Sequence, residues 1–463
     1  MDALMIGISG LRGTVGGTLS PEVVARWCAA FAARLKRDEQ PANGSHFVVV
    51  FGRDSRPSGP IVRDAAVSAL VASGIEVVDL DVVTTPTTAL MVKHLRADAG
   101  VIATASHNPI QWNGIKFIDR RGAAPPGEVV QKVIDLYHKQ TSDYVRVQQL
   151  HQTRKNSEGH ALHVQRVLEQ VDVLGISACR FKVVLDSVNG AGCVATHMLL
   201  SRLGCQIVHI NNTPDGQFPH EPEPTAANLS QLAAEVKRQR AQVGFAQDPD
   251  ADRLAIIDEA GTYIGEEYSL ALCAKMLMTR KPGTIAVANL STSRMIDDIA
   301  KATGGVVLRS AVGEANVVDM MLARGASVGG EGNGGVIDPR VVPGRDSLLG
   351  MAYILQLLAS SKKTVSQLVD EMPRYTIIKD KFECDRDDIA VAVEALKVHF
   401  ASEKIDIQDG LRIDWADAWI HARASNTEPI MRIIAEAPEA DAARARITAV
   451  RAIVDQAIAN RAR

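Results

Sequence analysis

The sequence has no surplus of either charge. Its 463 residues carry 51 Lys and Arg against 54 Asp and Glu, a formal net charge of −3. That excludes a globally basic nucleic-acid binder and a polybasic membrane binder, while leaving room for a local basic pocket. Long apolar runs are missing too. No stretch approaches the ~18 consecutive apolar residues of a spanning helix. The opening Met1-Asp2-Ala3-Leu4 lacks the cationic and apolar segments of a secretory signal, so a cytoplasmic location is expected. Cysteine is sparse. Cys28, Cys179, Cys193, Cys205, Cys273 and Cys384 form no CxxC pair, which reads as free thiols in a reducing compartment. What remains is ordinary for a soluble globular protein, 46% hydrophobic and 23% charged. The length predicts about three domains on the usual domain size.

Three segments repeat one grammar. Phe47 to Phe51 reads as a strand, followed by the loop Gly52-Arg-Asp-Ser-Arg-Pro57, a helix over 58–73, Gly74 and a strand over 75–79. Phe181 to Leu185, the loop 186–192, a helix to Leu203, Gly204 and the strand 205–209 form the second. Thr284 to Ala288, a helix over 291–303, Gly304-Gly305 and the strand 306–308 form the third. A β-rich run, a polar loop, an amphipathic helix with a glycine stop and a second strand make a βαβ unit. Such units imply sheets with helices on their faces. The polar stretch 139–160 is expected to end the first domain, and 258–267 to pass from the second to the third. The last segment changes character and reads as a smaller α+β unit. The expected domains are 1–150, 151–256, 257–370 and 371–463.

Four loops carry candidate chemistry. In Gln247-Asp-Pro-Asp-Ala-Asp-Arg253, Asp248, Asp250 and Asp252 fall at i, i+2 and i+4, a spacing that in an extended loop points three carboxylates to one side. They repel unless a cation lies between them, and a hard one with oxygen ligands, Mg²⁺ before Ca²⁺, is the economical solution. An EF-hand is excluded by Pro249, by Arg253 where glycine is needed, and by flanks that read as strands. A solvated acidic turn is the plain alternative. In Gly100-Val-Ile-Ala-Thr-Ala-Ser-His-Asn-Pro109, an apolar strand runs into a turn with Ser106 at its mouth. There is no GxSxG elbow, and His107, adjacent in sequence, is expected to point away from Ser106. An exposed loop serine can instead carry a phosphoryl group, with Lys116 nearby; a simple turn after a strand is the alternative.

Gly329-Gly-Glu-Gly-Asn-Gly-Gly335 is not a nucleotide phosphate cradle. Its glycines permit close backbone approach, and Glu331 with Asn333 suits sugar hydroxyls; a flexible surface loop is the alternative. Arg423-Ala-Ser-Asn-Thr-Glu-Pro-Ile-Met-Arg432 gathers donors suited to a phosphate, or makes a turn between strands. Arg12 stands on a glycine-flanked loop, where a surface ion pair is equally plausible.

Together and in this order, these residues resemble the α-D-phosphohexomutase superfamily. Thr104 to Pro109 is similar to its phosphoserine loop, Asp248 to Arg253 to its metal loop, Gly330 to Gly335 to its sugar loop, and Arg423 to Pro429 to its phosphate loop. The resemblance covers nearly the whole chain. It implies three similar α/β/α domains with mixed sheets, plus a smaller C-terminal α+β domain, around a central cleft. It implies that Ser106 is phosphorylated in the active enzyme, with one Mg²⁺ held by Ser106, Asp248, Asp250 and Asp252. The phosphoserine would convert a hexose phosphate to a bisphosphate, which would turn over in the cleft and return its other phosphoryl group; free hexose bisphosphate would serve as activator. The resemblance assigns Lys116 as general acid or base, and Arg12 and Arg253 to the transferring phosphate. Arg423, Ser425, Asn426, Thr427 and Arg432 would hold the other phosphate, and His107, Glu314, Glu331 and Asn333 would contact substrate.

The chain also departs from the family pattern. Asn333 and Gly335 stand where many members have serine and histidine. The opening loop keeps Gly10-Leu-Arg-Gly13 without the usual preceding Gly-Thr, and Glu314 follows Gly313 where members show a sugar-selecting His or Asp. The glycine loop is similar to the archaeal-type phosphoglucosamine mutase branch, which implies glucosamine 6-phosphate as substrate, with phosphomannomutase or phosphoglucomutase activity as the alternative. A monomer or homodimer acting on a small molecule, with no nucleic acid or membrane partner, is expected. Two rival readings are a haloacid-dehalogenase-type phosphatase using Asp248 as nucleophile, and a non-catalytic sugar- or metal-binding protein.

Overall fold

The computed structural model describes residues 3–425 and 430–461. The three repeats form as parallel βαβ units. Val48–Arg53 pairs in parallel with Glu76–Val82 across the helix Gly59–Ala72. Lys182–Asp186 pairs with Gln206–Ile210 across Gly192–Arg202, and Ile285–Asn289 with Val306–Ser310 across Met295–Thr303. The glycine stops adopt the left-handed backbone that ends a helix, with φ of 77° at Gly74, 72° at Gly204 and 68° at Gly304.

Each unit then adds a third strand parallel to the first, and a fourth that reverses beside the third. These are Ala99–Ala103 with Trp112–Asp119, Val243–Gln247 with Leu254–Ile257, and Val328–Glu331 with Gly335–Ile337. The strand order fourth, third, first, second recurs in all three sheets. Consequently the loops 104–111, 248–253 and 332–334 occupy one topological position, at the carboxyl end of each third strand. This is where open α/β sheets place their ligands.

The first sheet is larger than the repeat. Met5–Gly7 and Gly10–Thr14 extend one edge, and Arg154–Lys155 pairs with Val78 and Asp79 at the other. The polar stretch read as a connector thus includes a strand. It lies at an exposed edge and buries neither side chain, so no hydrophobic pattern marks it. The C-terminal unit is a five-stranded antiparallel sheet backed by Arg386–His399 and Ala440–Arg461. Strand Ile430–Ala437 alternates, with Met431, Ile433 and Ala435 fully buried; each larger apolar side chain contributes about 1.5–3 kcal/mol on burial.

A single apolar cluster runs through all three repeats, from Val50 through Leu185 and Phe245 to Ala288 and Leu349, whereas the C-terminal sheet has a core of its own. That sheet docks on the third repeat through polar contacts: Ser291 Oγ with His421 Nδ1 at 2.8 Å, Arg294 N donating to Glu436 Oε1 at 3.0 Å, and Arg412 donating to the Leu290 carbonyl. Among the described residues no helix is long and apolar enough to cross a membrane.

Candidate active site

The serine loop is shaped from beneath by an arginine. Arg56 has no solvent exposure. Its Nη2 donates to the carbonyls of Ser106 at 2.6 Å and Asn108 at 2.7 Å, and its Nη1 to those of Pro109 at 2.7 Å and Trp112 at 2.9 Å. Asp54 Oδ2 accepts from Arg56 Nε at 2.9 Å and from Thr104 Oγ1 at 2.6 Å, and Thr104 Oγ1 in turn accepts from the Ser106 amide at 2.9 Å. Burial of Asp54 pushes its carboxyl up, against the pull of Arg56. Held this way, Ser106 takes a left-handed φ of 52°, rare for a residue with a side chain. The conformation also brings the His107 ring beside the hydroxyl, Nδ1 to Ser106 Oγ 3.4 Å, rather than away from it as expected for an ordinary turn. Burial, then the charges of Arg253 and Arg12, push His107 down to about 2, so it is neutral near pH 7.

The acidic loop is a tight turn rather than an extended segment, with Ala251 at φ 56°, yet Asp248, Asp250 and Asp252 still converge. A ligand oxygen from each lies within 4.8 Å of the others. Every carboxylate has one oxygen held by the protein. Asp248 Oδ1 accepts from the amides of Asp252 and Arg253, both at 3.1 Å. Asp250 Oδ2 accepts from Thr85 Oγ1 at 2.7 Å and Lys116 Nζ at 2.9 Å, and Asp252 Oδ2 from Arg345 Nη2 at 2.6 Å. Of the other oxygens, Asp248 Oδ2 accepts from Ser106 Oγ at 3.1 Å, and Asp250 Oδ1 and Asp252 Oδ1 are buried with no hydrogen bond, the latter 3.9 Å from Arg253 Nε. Two orphaned anionic oxygens facing a third are a fit for a hard dication. Without one, burial and the two neighbouring carboxylates push Asp248 well up. Burial also opposes ionisation of Asp250, but Lys116 and Thr85 outweigh it and hold that carboxyl below its ordinary range.

The glycine loop is engaged internally. Glu331 Oε1 accepts from Asn289 Nδ2 at 2.9 Å and the Gly313 amide at 3.2 Å, and its Oε2 from Arg345 Nη1 at 3.0 Å and Asn333 Nδ2 at 3.5 Å. Glu314 Oε1 accepts from the Arg345 amide at 2.8 Å, and burial pushes Glu314 up against the opposing pull of Arg345. Gly335 has a steric reason. A Cβ there would stand 2.2 Å from Arg345 Cδ, so the arginine occupies the space a side chain would need.

Arg423 and Arg432 are directly opposite across the ladder between Trp419–Ala424 and Ile430–Ala437. Facing like charges destabilise a sheet, and burial, with Arg432 adding to it, pushes Arg423 down despite Asp409, whose Oδ2 is 3.9 Å from Arg423 Nη1. Ser425 follows at the strand end, its amide bonded to the Ile430 carbonyl at 2.9 Å. Asn426 and Thr427 lie outside the described residues.

Arg12, Lys116, Arg253, Glu314, Glu331 and Arg345 line one cavity of about 250 Å³ between the first and third repeats. Arg12 Nη1 donates to Asn108 Oδ1 at 3.1 Å, and Glu223 lies 3.9 Å from Arg253 and 4.0 Å from His107. Sequence reasoning missed Arg56, Thr85, Glu223, Asn289 and above all Arg345. For Arg345 the only local trace is its place in Pro343-Gly-Arg-Asp346, just before an apolar helical run.

Comparison with known proteins agrees with this arrangement along the whole chain. Four family models match: phosphoglucomutase/phosphomannomutase α/β/α domain I over residues 3–144, domain II over 161–261, domain III over 266–375 and the C-terminal domain over 381–453. A Thermococcus kodakarensis protein named phosphoglucomutase/phosphomannomutase is 37% identical, covering 95% of this chain and 96% of its own. A Methanopyrus kandleri protein named probable phosphoglucosamine mutase is 36% identical, covering 95% of each. The crystal structure of a phosphoglucomutase/phosphomannomutase family protein from Burkholderia thailandensis superposes with a TM-score of 0.84 at 27% identity, covering 98% of both chains. These matches leave the dehalogenase-type reading of Asp248 without support, and its geometry agrees: two amides and Ser106 occupy both oxygens of the supposed nucleophile.

Proposed function

We propose, because this chain belongs to the phosphoglucomutase/phosphomannomutase family and is therefore a phosphohexomutase, an isomerase, that it interconverts glucosamine 6-phosphate and glucosamine 1-phosphate through a phosphorylated Ser106. The observation that carries the catalytic part is the 3.1 Å contact from Ser106 Oγ to Asp248 Oδ2. It puts a hydroxyl at the edge of a buried acidic cluster, on a loop fixed in an unusual backbone conformation.

Each phosphate brings about −1.5 to −2 charge near neutral pH, so phosphoserine and substrate together need strong positive compensation. Mg²⁺ held by Asp248, Asp250, Asp252 and Ser106 would supply a dication for that charge. Arg12 and Arg253 flank the same space and steady the transferring phosphoryl group. Lys116 Nζ, already hydrogen-bonded to Asp250, is the group placed to hold or release the proton of the sugar hydroxyl. Arg423, Arg432 and Ser425 bind the phosphate that is not reacting. Phosphoryl transfer asks mainly for positioning and charge stabilisation. Two anion sites suit an intermediate that presents its two phosphates in turn.

The choice of glucosamine rests on the form of the glycine loop and on Glu314 and Glu331 in the cavity. The test is a side-by-side rate assay on glucosamine, mannose and glucose 6-phosphates, with Mg²⁺ and a trace of hexose bisphosphate. A higher kcat/KM for mannose or glucose phosphate replaces the substrate without touching the mechanism. Phosphate recovered on an aspartate, and so released by hydroxylamine, removes Ser106 as the carrier.

A further inference from the structure

We infer that Arg345 is a positioning residue that sets which divalent cation the aspartate cluster accepts, by denying Asp252 a second metal-facing oxygen. The inference rests on the metal reading above. The pattern is one oxygen per carboxylate. Asp248 Oδ1 is taken by two amides, Asp250 Oδ2 by Thr85 and Lys116, and Asp252 Oδ2 by Arg345. What remains is a single oxygen from each, two of them without hydrogen bonds. Ca²⁺ takes six to eight oxygens at longer range and readily uses both oxygens of a carboxylate, whereas Mg²⁺ wants six close ones in octahedral array. A cluster restricted to one oxygen per aspartate suits the smaller ion and starves the larger.

Arg345 is the restraint on Asp252. Asp252 Oδ2 has no comparably close side-chain partner: Lys116 Nζ stands 4.0 Å away, against 2.6 Å for the guanidinium. The guanidinium is itself fixed. Glu331 Oε2 takes Nη1 at 3.0 Å, Glu314 Oε2 lies 3.6 Å from Nε, and the backbone amide is bound to Glu314. The next residue, Asp346, caps the helix Ser347–Ser361 through the amides of Leu348 and Leu349 and meets His163 Nε2 at 2.8 Å, so the backbone at 345 has little freedom. Gly335 leaves the room the side chain fills. Residues around a metal's own ligands commonly tune its affinity. Here the tuning reaches from the third repeat onto a ligand carried by the second.

A simple charge effect is separable from this one. Removing a cation from the site strengthens binding of every divalent ion, whereas freeing an oxygen favours Ca²⁺ over Mg²⁺. The experiment is Mn²⁺ binding to the full chain, followed by electron paramagnetic resonance, with Mg²⁺ and Ca²⁺ as competitors. R345Q is expected to shift the competition ratio towards Ca²⁺ by about tenfold, on the order of the smaller affinity changes that replacing such residues produces. T85V, which removes one of two donors from Asp250 Oδ2, is expected to shift it less and in the same direction. An unchanged ratio in folded R345Q overturns the inference, as does an unchanged ratio in G335A, whose added Cβ displaces the Arg345 side chain, should R345Q not fold. Absence of Mn²⁺ binding in the parent protein refutes the metal reading itself, and the inference with it.

Discussion

Arg56 Nη2 donates to the carbonyl oxygen of Ser106 at 2.6 Å, from a guanidinium sealed off from solvent. The catalytic candidate is thus held by its main chain, leaving its hydroxyl free to face Asp248. No other side-chain type can reach three carbonyls of one loop and the first of the following strand from a single planar fork.

Replacing Arg56 with lysine keeps the charge and loses the fork. Turnover is expected to fall by about 100-fold, the scale for a reacting group misplaced by an ångström. KM for the sugar phosphate should change little, because Arg423 and Arg432 lie in a different domain. A parallel loss in KM and kcat, or a thermal midpoint that accounts for the whole effect, would show Arg56 to be a general structural residue.

Ser106→Ala is expected to abolish turnover while leaving the fold intact and the three aspartate ligands in place. The substitution removes one hydrogen bond to Asp248 and no packed apolar group. Undiminished turnover would refute the phosphoserine mechanism.

Arg423→Ala is expected to weaken substrate binding by about 1.5–3 kcal/mol, the scale for losing a hydrogen bond to a charged group. Kinetics on the sugar phosphate check this. Unchanged kcat and KM would take Arg423 out of the site.

Glu371 provides a pH test away from the cleft. Lys275 and Lys363 both donate to its carboxylate, and these hydrogen bonds hold it down from its ordinary 4.5 to about 2. A depressed folded-state value means stability that is present above the unfolded value and lost as pH falls towards the folded one. E371Q should therefore be less stable than the parent near pH 7, by at most about 1 kcal/mol because the pair is exposed. The gap should close as pH drops from about 4.5 towards about 2. Denaturant titrations at several pH values would measure it; a gap that widens in acid contradicts the assignment.

The repeats were legible because their signals are local: β-rich runs, helical periodicity and a glycine at each helix end. Ser106, the three aspartates and the glycine loop were legible for the same reason, each being a compact motif. Arg56 stood inside a loop that was read only as a loop, because its acceptors are backbone carbonyls and carry no residue identity. Arg345 was invisible for another reason. Its partners Asp252, Glu314 and Glu331 come from separate stretches of chain, and only folding brings them together. The left-handed backbone at Ser106 was likewise beyond a pattern of residue types, and with it the side on which His107 falls. Strand Arg154–Lys155 was missed because an exposed, wholly polar edge has no periodicity to read.

The shared apolar cluster has a mechanical corollary. The serine, aspartate and glycine loops project from sheets fused through one interior, so separating them exposes that interior to water. The strands carrying Arg423 and Arg432 belong to a body with its own interior, joined by polar contacts that water can replace. The three loops therefore share one frame, while the C-terminal sheet is seated on that frame by contacts that can be exchanged without opening its interior.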